Sequence, residues 1–247
     1  MSSEFKLNLS DMGIDLSAPI DLSIPYRKSG NVNCYYLDDP EFSYFESPEF
    51  SGNLSKGGSV NCEKISLYAH ASGTHTECAL HVAAVQFDMR HVLLPPVLPA
   101  ILITVQPLQI QSDRVITTEQ LKALLNCKTS DALIVRTLPN DESKLHVNYS
   151  STNPPYFEPD ALSWLREAGF KHLLTDLPSI DRESDDGKLS AHKNWFLING
   201  VASPERTITE LIYVPNRVPD GNYGLNIAAP AIETDAVPSR ITLYPCV

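Results

Sequence analysis

Hydrophobic and polar positions alternate regularly only from about residue 60 onward. Residues 64–69 alternate as a half-buried strand does and run directly into a histidine-rich segment. Residues 100–105 and 131–136 are short, nearly uninterrupted apolar runs, the pattern of buried strands. Between them, Thr117 and Gln120 ahead of Leu121, Leu124 and Leu125 have the spacing of a capping box, which predicts a short helix. Pro159 and Asp160 open a second helix and Gly169 closes it. Residues 171–175, 207–213 and 239–244 are further strand candidates. Strands interleaved with a few short helices predict a mixed α/β (α+β) fold.

The first 60 residues break this rhythm. Turn formers at 28–31, 38–40 and 47–48 lie among scattered aromatics, and Lys56-Gly-Gly-Ser59 reads as a mobile loop. The segment 1–60 is therefore expected to supply strands and loops that wrap a common core. Nothing marks a boundary, so 1–247 is read as a single domain.

Composition narrows the function classes. Thirty acidic against 19 basic residues give a net charge of −11, and no run of three Lys or Arg occurs. Such a chain repels phosphate backbones, which argues against nucleic acid as a partner. The five cysteines are odd in number and form no C-x-x-C pair, so a reducing compartment is the simpler expectation. Residues 1–6 are polar and lack a signal-peptide core. The longest apolar stretch, 92–108, is broken by Pro95, Pro96, Pro99 and Pro107. A cytoplasmic protein without membrane association is expected.

Candidate chemistry concentrates in His70-Ala-Ser-Gly-Thr-His75-Thr-Glu77-Cys78-Ala-Leu-His81. Imidazole and carboxylate suit Zn²⁺, Mn²⁺ and similar ions. On an extended strand His75 and Glu77 project from the same face, and Gly73 lets the chain turn to bring His70 back toward them. A lone histidine is more often a surface or satisfied core residue; three with a glutamate at these spacings shift the balance. Cys78 should point the other way, into the core. Glu210 lies among β-branched and apolar neighbours, where burial without a partner costs several kcal/mol. Either a cation or donor stands beside it, or it sits on the exposed face of an edge strand. His91, His146 and His172 read as surface or structural, and Trp195 and Phe196 as core packing; Tyr35 and Tyr36 read as core packing too, although aromatic residues there would also suit an aromatic substrate.

Gly73-Thr-His75-x-Glu77-x-x-x-His81, Asp176-x-Pro-Ser-x-Asp181, Ala191-His192, Glu210 and Pro238-Ser-Arg240, in this order, resemble the cyclase family of metal-dependent hydrolases, which includes bacterial kynurenine formamidase. The likeness runs from about residue 15 to the end. It implies a swivelling β/β/α fold and one or two divalent ions, zinc or manganese. His70, His75 and Glu77 would hold the first ion; His192 and Glu210 would complete a second site or surround the first, with Glu77 able to bridge. His81 would be the general base, cleaving an amide, formamide or lactam C–N bond in a small-molecule substrate. A homodimer or homotetramer is implied as well. Three features depart from the family signature His-x-Gly-Thr-His-x-Asp-x-Pro-x-His. Its first histidine falls on Ala71 here, its aspartate is Glu77, and Cys78-Ala79-Leu80 replaces its proline-bearing stretch. These departures support the alternative of a non-catalytic small-molecule-binding or scaffold protein.

Overall fold

The computed structural model describes residues 13–246; the polar start at 1–6 lies outside them. One curled sheet of nine strands organises these residues. In chain order they are β1 (Ile20–Asp21), β2 (His75–Glu77), β3 (Leu98–Val105), β4 (Ala132–Thr137), β5 (His172–Thr175), β6 (Thr207–Glu210), β7 (Gly221–Ala228), β8 (Ala236–Pro238) and β9 (Arg240–Pro245). They lie side by side as β1-β9-β7-β3-β4-β5-β6-β2-β8. The four from β3 to β6 run parallel, and the strands on both flanks are antiparallel.

Alternation along the central strands builds two cores. Ile101, Ile103, Leu133, Val135 and Leu173 face three helices, α1 (Thr118–Leu125), α2 (Pro159–Glu167) and α3 (Ser190–Phe196), and pack on Leu121, Leu162, Leu165, Trp195 and Phe196. Ala100, Leu102, Ile134 and Leu174 face the other way and meet Leu225, Ile227, Ile241 and Leu243 of β7 and β9. The sheet curls around this second core. The capping box of α1 is present: the Thr117 hydroxyl accepts the Gln120 amide while the Gln120 side chain accepts the Thr117 amide. Pro159 opens α2, and Gly169 follows it with φ +100°. The fold is the mixed α+β class that the pattern predicts.

The structure corrects three expectations. The strand expected at 64–69 is Glu63–Ser66; it pairs with Glu41–Tyr44 in a separate ribbon and stops short of the histidine segment. All four of its residues are exposed, so it has no face to contribute to the core. The strand expected at 207–213 ends at Glu210, because Leu211 takes a left-handed backbone, φ +54°. β7 and β8 were not anticipated: glycines dilute the pattern of β7, and β8 spans three residues ending in proline, which an edge position tolerates. Of the described amino-terminal residues, Leu22, Ile24, Val32 and Cys34 are buried. Among the described residues no helix is long and apolar enough to cross a membrane.

Candidate metal and active site

β2 lies between β6 and β8, and register decides what faces its side chains. His75 stands opposite Glu210 and Pro238; Glu77 stands opposite Ile208 and Ala236. His75 and Glu77 share a face, as their spacing requires. The turn before β2 is tight. A Cβ on Gly73 would lie 2.7 Å from the ring of Tyr26, whose hydroxyl is held by donating to the Ala69 carbonyl at 2.7 Å. This turn places His70 at the site and buries Ala71 completely. His81 arrives on a short 3-10 turn, Ala79–His81. His192 arrives in the first turn of α3, where Asp181 accepts the Ala191 and His192 amides at 2.8 and 3.0 Å.

All four imidazoles give one N–H to a fixed acceptor and turn the other nitrogen inward. His75 Nδ1 donates to the Gly73 carbonyl (3.1 Å) and His192 Nδ1 to Asp181 (2.6 Å). His81 Nδ1 and His70 Nε2 both donate to Asp235, at 2.9 and 3.0 Å. Glu77 occupies the centre. Its Oε2 lies 3.3 Å from His70 Nδ1 and 4.0 Å from His81 Nε2, and its Oε1 lies 3.0 Å from His192 Nε2. Glu210 reaches His75 Nε2 at 3.5 Å and His192 Nε2 at 3.7 Å, and its Oε1 accepts the Ile180 amide. Burial settles the question Glu210 posed: it is 3% exposed, on an interior strand beside two histidines.

His75 Nε2, His192 Nε2 and both Glu77 oxygens are buried without a hydrogen bond. The 3.0 Å separation of His192 from Glu77 lacks the alignment of one. Four orphaned polar atoms at one point are costly unless something else binds them. Such atoms could serve as ligands of a divalent metal. Among the described residues three overlapping groups, His70–His75–Glu77, Glu77–His81–His192 and His70–His81–Asp235, have ligand atoms within 4.8 Å of one another. The donor set of imidazole and carboxylate fits zinc or manganese.

The charges are tightly linked. Burial alone would push the Glu77 carboxyl up, but the neighbouring His192 and His81 hold it well below the usual carboxylate range. Burial likewise disfavours the His70 cation, yet the hydrogen bond to Asp235 and the charge of the nearby Glu77 raise its pKa to about 10. Hydrogen bonds from His70 and His81 hold Asp235 far below its ordinary value.

The centre opens into a cavity of about 600 Å³ bordered by Tyr35, Leu37, His70, His81, Arg182 and Leu189. It lies beyond the carboxyl ends of the parallel strands, where open α/β sheets bind ligands. A cavity of similar volume at the opposite end, bordered by Asp131, Lys171 and His172, holds none of the converging side chains. Tyr35 packs against the buried cluster of Ile24, Val32, Cys34 and Leu211 and also borders the site, whereas Tyr36 is exposed, which corrects its reading as core. Cys78, Trp195 and Phe196 are buried as expected, His172 is buried against Thr207, and His91 and His146 are on the surface. Asp235 gave no signal in the sequence, since it lies 165 positions beyond His70. Asp181 stood within the turn motif but carried no assigned role.

A curled sheet with this buried cluster of histidine and carboxylate at its edge defines a class. The sequence matches the profile of the Cyclase family ("Putative cyclase") over residues 14–182, and the chain belongs to that family. A kynurenine formamidase of Bacillus cereus is 29% identical over 232 residues, covering 92% of this chain and 97% of that protein. Among solved structures, isatin hydrolase A from Labrenzia aggregata, bound to benzyl benzoate, superposes with a TM-score of 0.67 at 14% identity, covering 97% of this chain and 96% of that one. A structure described as a predicted metal-dependent hydrolase from Bacillus stearothermophilus gives 0.62 at 19% identity, over 92% and 98%. The structural likenesses show a shared fold.

Proposed function

We propose that the chain is a metal-dependent hydrolase that cleaves an amide, formamide or lactam C–N bond of a small molecule, with His81 as general base. The observation that carries this reading is the convergence of four buried, unpartnered ligand atoms beside a histidine that borders a cavity. His70, His75 and Glu77 would hold one ion, with His192 and Glu210 completing a second position or the surroundings of the first. A zinc or manganese ion there supplies Lewis acidity and brings the pKa of water toward neutrality. His75 and His192 are almost wholly buried and serve to hold; His81, a quarter exposed, stands between the centre and the cavity. Its Nε2 takes the proton of the attacking water and passes it to the departing nitrogen. Tyr35 and Leu37 give the cavity an apolar wall for the substrate.

The displaced histidine was the main support for a non-catalytic scaffold, and His70 faces Glu77 despite the displacement. Exposed Phe45, Phe50, Leu54 and Ile65 on the amino-terminal ribbons support a homodimer or homotetramer, which light scattering on purified protein tests directly. The free cysteines fit a cytoplasmic setting. The decisive experiment is elemental mass spectrometry on protein purified without chelator, followed by assay on formanilides, lactams and activated esters. One or two equivalents of zinc or manganese with C–N bond cleavage is the expected result. His81→Ala should keep the metal and lose turnover by about 10²-fold or more. No metal uptake and no turnover would overturn the reading.

A further inference from the structure

Where the family signature has its first histidine, this chain has the buried Ala71, and His70 stands at the site from one position earlier. A histidine shifted by one residue approaches from a different direction, and its ring is correspondingly reversed. His75 and His192 are anchored through Nδ1 and face inward with Nε2. His70 is anchored through Nε2, 3.0 Å from Asp235 Oδ2, and faces Glu77 with Nδ1 at 3.3 Å. The adjacent His81 ring, with its centroid 4.3 Å away, has the opposite sense. Its Nδ1 donates to the same Asp235 oxygen at 2.9 Å, leaving Nε2 directed at Glu77.

A neutral imidazole carries a single N–H, so the nitrogen that donates leaves the other with its lone pair. Once His70 is neutral, as a metal-bound imidazole is, the same carboxylate oxygen is the acceptor for the single N–H of both rings. Asp235 is well placed to hold both, because its own position is fixed by β-pairing. Its carbonyl accepts the Cys78 amide at 3.0 Å, and the next residue, Ala236, stands opposite Glu77 in the β8–β2 register. The Thr234 hydroxyl donates to its second carboxylate oxygen at 3.1 Å.

We propose that Asp235 is a positioning residue that selects opposite tautomers on two histidines: it makes His70 a metal ligand through Nδ1, in place of the histidine missing at 71, and keeps Nε2 of His81 free to take a proton. This rests on the metal-dependent reading of the site. Carboxylates that orient metal-binding imidazoles affect both affinity and activity, while a merely structural aspartate would leave ring tautomers unchanged.

The test uses the full chain loaded with zinc. Long-range ¹H–¹⁵N correlation reads the histidine tautomers, and competition with a chromophoric chelator reads the zinc affinity. The wild type should show His70 protonated on Nε2 and bound through Nδ1, with His75 and His192 in the reverse form and His81 protonated on Nδ1. Asp235→Ala should weaken zinc binding by about 10- to 100-fold and mix the His81 tautomers. Asp235→Asn, which conserves size, should weaken it less. His70 bound through Nε2, or unchanged affinity and tautomers in both variants, would overturn the inference while leaving a zinc-binding wild type and the hydrolase reading in place. A wild type that takes up no zinc would overturn both. If Asp235→Ala fails to fold by circular dichroism, Asp235→Asn carries the test alone, with unchanged tautomers and affinity as the overturning result.

Discussion

Glu77 is fully buried, faces three imidazoles, and has no hydrogen bond to either oxygen. Its negative charge, rather than its shape, is what the surrounding nitrogens require. Glu77→Gln keeps the shape and should lower metal content well below that of the wild type; unchanged stoichiometry by elemental analysis would remove the carboxylate from the ligand set. His172 is a contrasting case, a buried histidine outside the site. Burial, with help from Lys171 and Arg206, lowers its pKa to about 4 from about 6.5. The folded chain thus binds fewer protons at this position than the unfolded chain between those values. Stability from this source is complete above about pH 6.5 and falls as pH drops toward 4, by on the order of 2 kcal/mol at pH 5. His172→Gln should flatten that part of the decline, read as the difference in urea midpoint between pH 7 and pH 5.

At the scale of elements, the turn at Gly73 links the histidine segment to the strand that presents it. Adding a Cβ there drives it into the Tyr26 ring, which is pinned at its hydroxyl and has the Ile24 carbonyl beside it. Gly73→Ala should therefore cost about 1–3 kcal/mol in chemical denaturation and reduce metal uptake, as overpacking of a tight site does. An unchanged unfolding midpoint would show that the turn can shift. The elements that the sequence made legible share a local logic. The capping box of α1 is a contact between residues three apart, and the shared face of His75 and Glu77 follows from the period of a strand. The illegible parts are those set by partners far along the chain. Residues 64–66 have β pattern but exposed faces, so nothing in their spacing tells a peripheral ribbon from a core strand. Leu211 ends β6 with a backbone that leucine seldom adopts, held where the Thr74 hydroxyl donates to its carbonyl. Asp235 joins the site only through the register of β8 on β2, which no spacing reveals.

The whole molecule carries a net charge of −11 and draws the side chains proposed to bind metal from widely separated segments: the turn before β2, β2 itself, α3 and β6. On that proposal, a bound ion would tie these segments together and favour the folded chain. Treatment with chelator should lower the melting temperature, and zinc at about 1,000 times its Kd should restore about 4 kcal/mol. Equal melting with and without metal would mean that no such linkage exists.

The pairing order of the sheet also has a consequence for biosynthesis. β2 carries His75 and Glu77 early in the chain, yet both of its neighbours, β6 and β8, come much later. At about 5–20 residues per second, the interval between making His70 and making Asp235 is on the order of 10–30 s. Until β6 is made the strand has no neighbour on either edge, and until β8 follows it has only one. A ribosome-bound chain lacking β6 and β8 has not assembled the proposed site, so activity should begin only once translation of the sheet is essentially finished.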